Sequence, residues 1–102
     1  MRNYYTYILT NKNKTVLYTG MTNNICRRLH EHQQGIEQQK KSFTARYNCC
    51  YLVYYEIHFR PIHAINREKQ IKGWTREKKV DLIESFNPEW RFLNDEAMDG
   101  FY

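Results

Sequence analysis

The chain opens on YYTYILT, residues 4–10, rich in strand formers and alternating large with smaller side chains. In an extended strand Tyr5, Tyr7 and Leu9 share one face, and Tyr4, Thr6 and Ile8 the other. A polar turn, Asn11-Lys12-Asn13-Lys14, leads into Thr15 to Thr19, TVLYT, so a β-hairpin is expected with Gly20 ending it. The next segment, NICRRLHEHQQ, predicts a helix capped by Thr22 or Asn23, stopped by Gly35, with Ile25 and Leu29 as its apolar seam. An exposed loop over residues 36–41 and a short helix capped by Ser42 follow. Residues 49–57, CCYLVYYEI, are almost continuously apolar, as expected of a central strand covered on both faces.

Pro61 suits the start of a helix that runs to Gly73. Thr75 caps another, with Val80, Leu82, Ile83 and Phe86 as core candidates and Asn87-Pro88 as its end. Trp90, Phe92 and Leu93 are expected to pack back. The predicted fold is α+β: a three-stranded central β-sheet, antiparallel or mixed, flanked by helices in the order β-β-α-(α)-β-α-α. The expected domain covers residues 1–93, and the acidic stretch 94–102 is expected to be mobile.

A chain of 102 residues suits one hydrophobic core. Its 41% hydrophobic and 16% aromatic content argues against disorder. There is neither a long uncharged apolar stretch nor a signal-peptide pattern, so no membrane association and a cytoplasmic location are expected. Three cysteines, Cys26, Cys49 and Cys50, lack CxxC spacing and read as buried or incidental thiols. The net charge of +5 is unevenly spread. Residues 1–80 hold fifteen Lys and Arg against five Asp and Glu, whereas residues 81–102 hold one against six. A basic body suits a polyanion such as nucleic acid.

Candidate chemistry clusters early. If the hairpin register sets Tyr7 near Tyr18, two phenols face one side. Arg28 and His32 stand four apart, at the border of the Ile25–Leu29 seam. Arg27 and Glu31 form a second i,i+4 pair, which reads as a solvated surface pair. Glu68 lies on an otherwise apolar helix face, where a carboxylate needs a cation: a metal ion, or an ion pair with Lys72 or Arg28. His30, His58 and His63 form no convincing metal set.

Tyr5-Thr6-Tyr7, with Tyr18-Thr19-Gly20 eleven residues after Tyr7, resembles the paired motif that names the GIY-YIG nuclease family. Arg28 in MTNNICRRLHEH, His32, Glu68 in INREKQIKGW and Asn87 in SFNPEW extend the resemblance across residues 3 to about 93. It is strongest to the small stand-alone bacterial members. Tyr5 replaces the first glycine, Thr6 and Thr19 replace both isoleucines, and Met21 stands where repair-type members carry lysine.

The resemblance implies metal-dependent hydrolysis of a DNA phosphodiester, serving repair or recombination. Tyr7, Tyr18, Arg28, His32 and Glu68 would be catalytic. Glu68 would hold one Mg²⁺ or Mn²⁺, and Tyr18 is the favoured general base over Tyr7. Gly20, Arg27, Arg28, Lys72 and Asn87 would meet phosphate or DNA. The expected protein is a monomer with no organic cofactor. Two alternatives stand beside the nuclease: a catalytically weak nucleic-acid binder using the same basic pocket, and a protein-interaction module.

Overall fold

Strand β1, Tyr4–Thr10, lies at the centre of the sheet, and almost every residue in it is buried. It pairs antiparallel with β2, Leu17–Thr22, on one side and β3, Tyr51–His58, on the other. The computed structural model describes residues 3–98. The helices are α1 (Ile25–Glu37), α2 (Phe43–Arg46), α3 (Pro61–Lys72), α4 (Arg76–Phe86) and α5 (Asn94–Met98). The expected α+β order therefore holds, with α5 added.

The two faces of the sheet hold separate cores. Tyr5, Tyr7 and Leu9 pack with Ile25 and Leu29 of α1 and Ala97 of α5. Ile8 and Val53 pack with Ile71 of α3 and Ile83 of α4 on the opposite face. A bulge in β3, where the register shifts between Ile8 and Leu9, brings Val53 and Tyr54 in succession into that second core. The small members of the β1 alternation are buried too. Their hydroxyls are satisfied: Thr6 donates to the Ala64 carbonyl at 3.1 Å and Thr10 to that of Val16 at 2.8 Å.

Several expectations change. The apolar run of residues 49–57 suggested a central strand, but β3 is at the edge of the three strands. Its outer edge is nevertheless covered, which explains the apolar run. Leu93 N–H donates to the Leu52 carbonyl at 2.7 Å, and Leu52 N–H donates to the Asn94 side chain at 2.8 Å. The Asn94 amide then donates to the Cys50 carbonyl, and the Asn87 amide to that of Val53 at 3.1 Å. Residues 87–94 thus serve as an irregular fourth strand.

The expected mobile stretch from residue 94 begins instead as α5, with Ala97 fully buried; residues 99–102 lie outside the described part. β2 starts and ends later than its sequence pattern suggests. Asn11 holds a longer turn, its side-chain oxygen accepting from Thr15 and Val16 N–H, while Lys14 takes a left-handed backbone with φ of 60°. The cap of α1 is Asn24, one residue beyond the expected pair, and the helix runs through Gly35 to Glu37. Gly35 is buried, and a methyl there would stand 3.8 Å from Ala45 Cβ, so this glycine faces α2 rather than ending α1. Of the core candidates on α4, only Ile83 is fully buried, and Phe86 is 45% exposed.

Candidate active site

The register that pairs Tyr7 with Gly20 organises the site. Tyr7 points to the α1 side of the sheet, and its ring lies across the backbone of β2. A methyl on Gly20 would stand 2.6 Å from the Tyr7 hydroxyl oxygen and 3.0 Å from the Tyr18 ring. Glycine is needed here for close approach, not for turn geometry. Gly20, expected to end a strand, lies within β2 and makes room for a phenol.

Tyr7 is completely buried, so its hydroxyl requires a partner. That partner is Nε2 of His32 at 2.9 Å. The other ring nitrogen, Nδ1, lies 3.0 Å from the Thr44 hydroxyl of α2. Burial, and then the nearby Arg28 charge, lower the His32 pKa to about 4, so the ring is neutral at pH 7. A neutral imidazole has one donor and one acceptor, so the Thr44–His32–Tyr7 chain is satisfied in either proton direction. Burial also raises the Tyr7 pKa well above that of an ordinary phenol, against the opposing influence of Arg28.

Tyr18 stands beside this chain, its ring centre 6.5 Å from Tyr7 and 5.6 Å from His32. It is half-buried and reaches the surface. Across it, the Lys72 ammonium lies 5.9 Å from the ring centre and 3.3 Å from the Glu68 carboxylate. The ion pair foreseen for Glu68 is therefore made with Lys72, and it sits next to Tyr18. Glu68 is also near enough for its charge to act on Tyr7.

Arg28 stands one turn before His32 on α1, held by Glu31 at 3.1 Å with about a third of its side chain exposed. Arg27 is more exposed and binds Asn23 at 3.2 Å, with Glu31 at 3.8 Å. Both arginines line an open depression of about 420 Å³ together with Tyr4 and Met21. A larger depression, about 1120 Å³, lies against α1 beside Tyr5 and Arg27, and neither depression is lined by Tyr7 or Tyr18.

Tyr7, Tyr18, Arg28, His32, Glu68 and Lys72 thus gather where β2 meets α1 and α3. Asn87 does not join them. It caps α4 against the outer edge of β3, two strands from β2, and its amide donates to the Val53 and Arg91 carbonyls. Its oxygen accepts from Arg91 N–H at 3.0 Å, so its amide forms an internal clamp away from the other candidate residues. Thr44 was missed by sequence reasoning. It belongs to a four-residue helix distant from the motif, and its only available signal was a hydroxyl following the Ser42 cap.

Among the described residues, no group of three or more His, Cys, Asp or Glu side chains is arranged to hold a metal ion. Glu31 is paired with Arg28, so beside the phenols the site offers the Glu68 carboxylate. This set fits a hard divalent cation that keeps most of its waters and completes its shell with substrate oxygens. It does not fit a cation that needs an all-protein cage.

Comparison with known proteins places the chain in a family. The GIY-YIG catalytic domain model matches residues 3–81. A UPF0213 protein of Syntrophus aciditrophicus is 41% identical over 85 residues, covering 83% of this chain and 93% of that protein. UPF0213 proteins of Clostridium perfringens and Haloquadratum walsbyi are 38% and 36% identical over 81 residues. These matches cover 79% of this chain in each case, and 83% and 86% of the respective relatives. The solution NMR structure of a UPF0213 protein from Bacillus halodurans shares the fold, with a TM-score of 0.55 and 27% identity. The match covers 86% of this chain and 89% of that one. With its paired tyrosine motifs on adjacent strands and the family model spanning most of its length, the chain belongs to the GIY-YIG family.

Proposed function

We propose that this protein is a metal-dependent endonuclease that hydrolyses DNA phosphodiester bonds and serves DNA repair or recombination. The observation that carries this reading is the buried Tyr7 hydroxyl, held 2.9 Å from His32, beside the surface-reaching Tyr18 and the Glu68–Lys72 pair. Glu68 would hold one Mg²⁺ or Mn²⁺, which would supply charge stabilisation at the phosphate and leaving oxygen. Arg28 grips the phosphate through paired N–H donors. Tyr18 takes the proton of the attacking water. Bringing a phenol from its usual pKa of about 10 to neutrality requires about 4 kcal/mol, at about 1.4 per unit. Tyr7 is the poorer base because burial opposes its ionisation still further. Its buried hydroxyl instead holds His32 in place beside Tyr18, and His32 relays or anchors a proton. Lys72 leaves Glu68 for a phosphate oxygen as substrate arrives.

The test is cleavage of plasmid and branched DNA with Mg²⁺ or Mn²⁺. Glu68→Ala and Arg28→Ala should each lower the rate by about 100-fold or more. Absence of cleavage by the wild type, or variants as active as the wild type, would refute the nuclease. One observation favours a second reading, a catalytically weak nucleic-acid binder. The Lys72 ammonium already neutralises Glu68 at 3.3 Å. In that case Glu68→Ala would leave DNA affinity intact while no metal-dependent cleavage is seen in any variant.

A further inference from the structure

The aromatic run does not stop at Tyr18. The Phe43 ring stacks on it, with centres 6.1 Å apart and planes at 29°. Tyr47 follows, 4.8 Å from Phe43, and the Arg46 guanidinium lies 5.8 Å from the Tyr47 ring. Phe43 and Tyr47 are 47% and 44% exposed. They stand four residues apart at the two ends of α2, and so share one side of it. The other side of α2 does the packing: Thr44 meets His32, and Ala45 meets Gly35. Phe43 and Tyr47 are therefore not needed to fill either core. Phe43 has no polar group to place, yet its ring faces water beside the candidate phosphate site.

The charge around these rings matches a polyanion. From Gln38 to Tyr55 the chain carries Lys40, Lys41 and Arg46 and no acidic residue. A strand whose phosphate sat at Arg28 and that followed the rings would meet Tyr18, then Phe43 and Tyr47. In an intact duplex each base is already stacked between its neighbours, and an exposed ring has nothing to bind. An unpaired base has a free face and gains by stacking on an aromatic side chain. We propose that Phe43 and Tyr47 extend Tyr18 into a stacking platform for an unpaired base flanking the bound phosphate. The substrate is then nucleic acid that is single-stranded at the site, such as a flap or an open end. This inference rests on the phosphate-binding role given to the site above.

The test is fluorescence anisotropy with a dye-labelled oligo-thymidine and a dye-labelled linear duplex of two fully complementary strands, in chelator so that nothing is cut. Phe43→Ala and Tyr47→Ala should each weaken oligo-thymidine binding about ten-fold and leave duplex binding unchanged. Phe43→Trp should retain affinity, and its added emission should be quenched by oligo-thymidine but not by the duplex. Equal loss on both probes, or no loss on either, overturns the platform. Should Phe43→Ala fail to fold, the Phe43→Trp emission decides, and an unchanged signal on saturation with oligo-thymidine overturns it. Wild-type cleavage of intact duplex with metal, undiminished in Phe43→Ala, overturns the platform but leaves the nuclease standing. Wild-type binding to neither probe overturns both.

Discussion

His32 is surrounded on every side that matters: Tyr7 on one ring nitrogen, Thr44 on the other, and the Arg28 charge one turn away. Its displaced pKa makes stability depend on pH. The unfolded chain takes a proton on this imidazole near pH 6.5, while the folded chain resists it until about pH 4. Stability is therefore full above about pH 6.5 and falls through that window, by at most about 3 kcal/mol from this group. Urea midpoints for wild type and His32→Gln should diverge at pH 7 and converge toward pH 4. Parallel curves would show that this imidazole does not resist protonation. The positions of Tyr7, Tyr18, Arg28, His32 and Glu68 were legible because motif spacing survives without knowledge of the fold. The role of Thr44 was not, since no local period connects residue 44 to residue 32. Asn87 shows the opposite limit. Its place in the motif order was readable, but the direction of its side chain was set by β3, which spacing does not reveal.

At the scale of elements, the alternation in β1 and the apolar run in β3 both announced strands but not which was central. That choice depends on what covers an edge, and here the cover is supplied by Asn87, Leu93 and Asn94 from about forty residues later in the chain. Asparagine side chains standing in for backbone partners leave no periodic signal. The three bonds of Asn87 are buried or half-buried, so Asn87→Ala should cost about 2–4 kcal/mol. The loss should appear in denaturant midpoints, with oligonucleotide affinity unchanged at temperatures where the variant is folded. A specific loss of affinity without loss of stability would return Asn87 to the DNA-contacting set. The same logic covers α1, where Gly35 resembled a stop signal but is a contact point for α2.

Over the whole molecule, charge is the feature that needed no fold to be read: +10 over residues 1–80 and −5 beyond. The fold adds location: Arg27 and Arg28 are on α1 with Arg28 beside Tyr7, Lys72 of α3 is beside Tyr18, and Arg46 of α2 is beside Tyr47. If these four meet phosphates of a single strand, the plot of log affinity against log salt should have a slope of about −3. A slope near zero would exclude a phosphate-led mode of binding. Among the described residues no helix is long and apolar enough to cross a membrane. The cover over β3 arrives late. A chain is synthesised from its N-terminus, and residues 87–94 follow everything they shield. Every site residue from Tyr7 to Lys72 is already made when the outer edge of β3 is still bare. On a crowded polysome, that interval is when neighbouring nascent chains can pair edge to edge.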